Sequence, residues 1–123
     1  MHNKWHFLKN IEETDSLEIS AEATLDPDSL WFDGHFPGTP ILPGIAQLTL
    51  AFDAIQEHSK RNGRQVALSG FSRVRFRQFI KPGDTVLVTA MPEQDDPARY
   101  KFRVTVGGQV ACSGSLKTAP VNG

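Results

Sequence analysis

The sequence predicts an α+β fold in which a curled antiparallel sheet wraps around one long, buried central helix. Three observations lead there. Residues 16–25 alternate between apolar and polar side chains, residues 43 to about 60 are apolar on nearly every helical face, and the remaining segments read as strands separated by turn residues. One strand, one buried helix and then a run of antiparallel strands is a layout in which a sheet can close over a helix.

After a short lead with Trp5, Phe7 and Leu8, Leu17, Ile19, Ala21 and Ala23 alternate with Glu18, Ser20, Glu22 and Thr24. This period of two predicts a strand from Ser16 to Leu25 with one buried face. Asp26-Pro27-Asp28-Ser29 breaks it and supplies capping side chains, so a short helical turn is expected around Leu30 and Trp31. From Pro43 to about Lys60, residues Ile45, Ala46, Leu48, Leu50, Ala51, Phe52, Ala54 and Ile55 cover almost the whole helix circumference, which predicts burial in the middle of the fold. Pro43 suits the first turn and Asn62-Gly63 the end.

Strands are expected at Gln65 to Ile80, Thr85 to Met91, Arg99 to Val106 and Gln109 to Lys117. They are divided by Lys81-Pro82-Gly83-Asp84, by the polar loop Pro92 to Pro97, and by the hairpin signal Gly107-Gly108. Tyr100, Phe102, Val104 and Val106 share one face, with Lys101, Arg103 and Thr105 on the other. Short turns imply antiparallel neighbours.

A chain of 123 residues fits one domain spanning residues 1–123. With 13 Lys and Arg against 14 Asp and Glu, the net charge of −1 provides no global field toward nucleic acid or membrane. No apolar run approaches the roughly 20 residues a membrane helix needs. Cys112 is the single cysteine and can form no intramolecular disulfide, and residues 1–10 lack the continuous apolar core of a signal peptide, so a reducing cytoplasm is the expected compartment.

The chemistry concentrates in Gly34-His35-Phe36-Pro37-Gly38-Thr39-Pro40-Ile41-Leu42-Pro43-Gly44. Three prolines stiffen this segment and its glycines allow close backbone approach, so His35 is held in a loop that loses little entropy when a substrate arrives. Together with Gly70-Phe71-Ser72-Arg73-Val74-Arg75-Phe76-Arg77 and the turn Pro82-Gly83-Asp84, this loop resembles the 3-hydroxyacyl-acyl-carrier-protein dehydratases of bacterial fatty-acid synthesis, which are hotdog-fold proteins. The short lead is more similar to the small thioester-dehydratase relatives of other acyl-chain pathways.

The resemblance implies a homodimer formed through the sheet with active sites at the interface, a heterodimer or higher assembly remaining open. It also implies a 3-hydroxyacyl chain on a phosphopantetheine thioester, carried by acyl carrier protein or coenzyme A, that loses water to give the trans-2-enoyl thioester. Neither a metal nor an organic cofactor is implied. His35 corresponds to the family's catalytic histidine, and an imidazole suits proton abstraction from C2. The Gly44 amide corresponds to the donor that polarises the thioester carbonyl, at a helix start that favours developing negative charge. Phe36, Pro37, Pro43 and Ile45 are the expected substrate-binding residues around these two groups.

The chain departs from the family at Thr49, where the family carries an acid five residues after the Pro-Gly glycine. A threonine hydroxyl can hold a water or the substrate hydroxyl but cannot replace a carboxylic acid as proton donor. Asp53 lies one turn further on the same face, about 6 Å along the axis. Two accounts of it stand: a protonated carboxyl that supplies the missing proton, or a carboxylate that pairs with an arginine or accepts backbone hydrogen bonds at the dimer seam. Gln47 is expected to bond loop backbone, and His58 to be solvated or to place a favourable charge at the helix end. Arg73, Arg75 and Arg77, extended by Lys81, Arg99, Lys101 and Arg103, are either a patch for an acidic carrier protein or a solvated sheet face. Besides dehydration, two alternatives remain: a non-catalytic acyl-chain binding subunit of a dehydratase heterodimer, and a hotdog acyl thioesterase.

Overall fold

The computed structural model describes residues 8–14, 17–28 and 42–121. The expected turn at Leu30 and Trp31, and the loop residues His35, Phe36 and Pro37, lie outside the described residues. The elements are β1 (Leu8–Glu13), β2 (Ile19–Thr24), α1 (Gly44–Arg61), β3 (Val66–Phe76), β4 (Thr85–Pro92), β5 (Arg99–Val106) and β6 (Gln109–Pro120). The six strands form one sheet in the order β1-β2-β4-β5-β6-β3, and every pairing is antiparallel.

Alternation decides which face of this sheet meets the helix. Ile19, Ala21 and Ala23 of β2, Val86, Val88 and Ala90 of β4, and Tyr100, Phe102 and Val104 of β5 are all buried. They form an inner layer against which α1 buries Ala46, Leu50, Ala51, Ala54 and Ile55. The helix packs against β1, β2, β3, β4 and β5, so the sheet curves around it as the sequence pattern required. Its last turn carries His58, Lys60 and Arg61, and the positive charge of Lys60 and Arg61 complements the negative end of the helix dipole. The Arg61 guanidinium also donates to the Ile11 carbonyl of β1 at 3.1 Å.

The turn of residues 81–84 does not join neighbours. β3 lies at one edge beside β6, and β4 lies between β2 and β5, so the chain crosses from one side of the sheet to the other. The expectation that short turns join antiparallel neighbours holds for β4-β5-β6 and fails here. β3 also stops at Phe76 rather than Ile80, because the Arg77 and Gln78 amides both turn to the Ala111 carbonyl, at 2.8 and 3.4 Å. The segment then docks on the helix entrance, where the Leu42 amide donates to the Ile80 carbonyl at 2.7 Å. Between β5 and β6, Gly107 and Gly108 have φ of +57° and +79°, the left-handed pair that a tight two-residue hairpin demands.

Cys112 is fully buried on β6, and burial pushes its thiol from 9.0 up to about 11. A raised thiol pKa keeps the folded state protonated while the unfolded chain ionises, so stability is held at lower pH and falls as pH rises from 9 toward 11. Denaturant titrations across that range should show the decline, and Cys112→Ala should reduce it, the Tyr100 phenol, which burial also raises, contributing to what remains; an identical slope in the variant would rule out this thiol as a source.

Candidate active site

Helix α1 begins without a side-chain cap. Pro43 is its N-cap, in extended geometry at φ −60° and ψ 151°, and no acidic residue occupies the first turn. The Ala46 and Gln47 amides both reach the Pro43 carbonyl, at 3.0 and 3.4 Å. The amides of Gly44 and Ile45 have no acceptor among the described residues. An 18-residue helix therefore presents, among the described residues, two N–H groups without an acceptor at its positive end, an arrangement suited to an oxygen that gains negative charge.

Gly44 also answers a packing demand. A Cβ at this position would come within 2.9 Å of Phe76 Cζ, so the phenyl ring rests directly on the glycine. Phe76 is 52% exposed and can swing aside. Gly44→Ala should therefore cost less than about 1 kcal/mol of stability, while the displaced ring and the added methyl crowd the helix amides. The expected result is a drop in turnover at nearly unchanged melting temperature; unchanged turnover would argue against a tightly fitted oxyanion at this amide.

Ile45, Thr49 and Asp53 follow at four-residue spacing along one helix face. Ile45 is 61% exposed, and Thr49 and Asp53 are half-buried. The Thr49 hydroxyl donates to the Ile45 carbonyl at 2.8 Å, the back-bond common for threonine inside helices. Its proton is thus committed to the backbone, which leaves the oxygen as an acceptor. Leu48 and Phe52 are half-buried alongside, and Phe79, three residues past β3, is 71% exposed. Phe76, Phe79 and Ile45 together make an open apolar margin around the helix start. Spacing alone assigned neither Phe76 nor Phe79 to the site, although large apolar residues beside arginines, just before a Pro-Gly turn, are a usable signal.

Two other expectations need correction. Gln47 is 3% exposed and its Oε1 is buried without a hydrogen-bond partner, rather than bonded to loop backbone. It shares the helix side of Ala46, Leu50 and Ala54, where the apolar inner face of the sheet has no donor to give. His58 is not simply solvated. Its Nε2 lies 3.1 Å from Glu13 Oε1, with the imidazole only 12% exposed. That partner comes from β1, a strand the sequence did not announce.

The arginines do not form one regular row. A bulge between Ser72 and Arg75 places Arg73 at φ +56°, and Arg77 follows the end of β3. Arg99 pairs with Glu93 at 3.8 Å and Lys117 with Asp96 at 3.6 Å. Among the described residues, no group of three or more His, Cys, Asp or Glu side chains is placed to hold a metal ion. No described helix is long and apolar enough to cross a membrane.

Residues 10–115 match the family model of ApeI-like proteins, described as ApeI dehydratase. The chain is 30% identical over 112 residues to the 3-hydroxyacyl-[acyl-carrier-protein] dehydratase FabZ of Oenococcus oeni, covering 86% of this chain and 81% of that protein. Among solved structures, the dehydratase heterocomplex ApeI:P from Xenorhabdus doucetiae superposes with a TM-score of 0.77 at 27% identity, over 93% of this chain and 97% of that one. A hypothetical thioesterase from Streptococcus pneumoniae shares the fold alone, at 11% identity and a TM-score of 0.70, over 96% and 92% of the two chains.

Proposed function

The chain belongs to the ApeI-like dehydratase family, and we propose that it removes water from a 3-hydroxyacyl thioester, linked to acyl carrier protein or coenzyme A, to give the trans-2-enoyl thioester. The observation that carries the proposal is the head of α1, where the Gly44 and Ile45 amides have no acceptor among the described residues and lie beneath an open apolar margin. His35 takes the proton from C2. The thioester oxygen gains charge against the Gly44 amide, the C2–C3 double bond forms, and the C3–O bond breaks. The departing hydroxyl needs a proton, which Asp53 supplies directly or through a water held by the Thr49 oxygen. Atoms balance as one enoyl thioester and one water per turnover. Phe36, Pro37, Pro43 and Ile45 hold the acyl thioester over these groups.

The dimer belongs to this reading as well. β3 is an 11-residue edge strand paired on one side only, and Leu68, Phe76, Phe79 and Ile45 expose apolar surface on or near it. A second copy that continues the sheet across β3 would cover that surface and enclose the helix start. A buried, protonated Cys112 suits a reducing cytoplasm and a chain that forms one domain.

A second reading is favoured by the commitment of the Thr49 hydroxyl to Ile45: an acyl-binding subunit whose partner supplies the acid. Thr49→Glu separates the two. A gain of about 10-fold or more in enoyl product, within the usual range for general acid catalysis, marks an enzyme limited by its proton donor. No gain in a well-folded variant, with activity appearing only when a complete dehydratase is added, marks the binding subunit.

A further inference from the structure

The face of the sheet turned away from α1 carries a charge arrangement that the dehydration chemistry does not use. On β5, Lys101 and Arg103 point outward while Tyr100, Phe102 and Val104 are buried. Register places Arg103 between Thr89 of β4 and Ser113 of β6, and Ser113 in turn opposite Arg75 of β3. Lys101 stands between Met91 and Ser115. A cavity of about 730 Å³ opens over these strands, with Arg73, Lys101, Arg103, Ser113 and Ser115 in its walls. A second, of about 550 Å³, adjoins it and adds Arg77; Arg103 and Ser113 line both. None of Arg73, Arg77, Lys101 and Arg103 has an ion-pair partner among the described residues, although Arg99 of β5 and Lys117 of β6 do.

Gathering unpaired guanidinium groups in a concave site is unfavourable unless an anion offsets their repulsion. Arg73 adds a second cost, since a side chain other than glycine at φ +56° is strained, and the bulge spends that strain on aiming Arg73 into the cavity. Guanidinium forks with serine hydroxyls are the donor set that matches phosphate oxygens. The far end of the larger cavity is different, for Glu18, Glu93 and Asp95 line it. An extended acidic surface would be repelled there, whereas a compact anion reaches only the basic end. A volume of this size accommodates a small-molecule body beyond the anion.

We propose that this outer face is a second ligand site, which binds a phosphate monoester with its phosphate between Arg103, Ser113 and Arg73 and its uncharged or cationic body toward Glu18 and Asp95. Calorimetric titration of the full chain with inorganic phosphate, phosphopantetheine and phosphocholine tests this. At least one ester should bind saturably and more tightly than inorganic phosphate, and Arg103→Gln should weaken it by about 10-fold or more, as loss of a charged hydrogen bond predicts. Arg73→Asn keeps a residue that tolerates the left-handed backbone and should weaken binding similarly, with melting curves verifying that both variants fold. Absence of saturable ester binding, equal affinity for inorganic phosphate, or affinity unchanged in both variants would overturn the proposal. So would an acidic carrier protein that binds through Arg103 while no small phosphate does, which would make the face a protein-docking surface.

Discussion

His35→Ala should lower the rate of enoyl thioester formation by about 10²- to 10⁴-fold, the range that a positioned general base contributes, without lowering the melting temperature. The expectation follows from the division of labour at the site. In the proposed mechanism the helix amides stabilise charge on the thioester oxygen but cannot accept a proton, and the Thr49 hydroxyl donates its hydrogen bond to the Ile45 carbonyl. Asp53, assigned to the departing hydroxyl, has to be protonated to donate, so it is no base for C2 in the same step. Removing the imidazole therefore leaves C2 without a base. Substrate binding should persist, because Pro43, Ile45 and the apolar margin remain, and the loss should appear in kcat rather than KM. A variant that retains most of its kcat would remove His35 from the chemistry.

The largest expected loss of stability is at the centre of the sheet. Phe102 is 2% exposed, its ring lies 6.1 Å from that of Phe71 in an edge-to-face arrangement at 73°, and it packs so closely against Gly114 that a Cβ there would stand 3.1 Å from Phe102 Cζ. Phe102→Ala removes the ring and leaves a cavity that the sheet backbone cannot close, for a cost of about 3–5 kcal/mol. Urea unfolding should show the midpoint falling with little change in slope. A loss under about 1 kcal/mol would mean that β5 does not hold its ring in the core.

The elements that the sequence made legible are those whose two faces differ. β5 reads Tyr100, Phe102, Val104 against Lys101, Arg103, and its bounds match the expected strand, because one face meets the helix and the other meets water. β2, β4 and β6 follow the same logic to within a few residues. β1 was invisible for a physical reason. Its half-buried residues, Leu8 and Ile11, are three apart, because a bulge with Asn10 at φ 53° breaks the period of two. The contact of His58 with Glu13 was hidden with it. The strand order was equally out of reach, since a four-residue turn that crosses the sheet looks the same as one that joins neighbours.

At the site, Gly44 was recognisable because a proline-glycine pair at the head of an apolar helix has few structural meanings, and its contact with Phe76 adds one that spacing cannot reveal. Thr49 could be identified as a departure, but not its bond to Ile45. The outer cavity was the least legible feature. It depends on a bulge and on register across β3, β6, β5 and β4, neither of which is written in the spacing of arginines.

The most direct measurement is a mass-resolved product analysis after the wild-type protein is incubated with a 3-hydroxyacyl thioester. The account predicts a thioester lighter by one water, with the carrier thiol still acylated and the reverse hydration detectable when enoyl thioester is supplied. Release of free thiol with an intact 3-hydroxy acid, or no conversion of any 3-hydroxyacyl thioester by the wild-type protein, would contradict it.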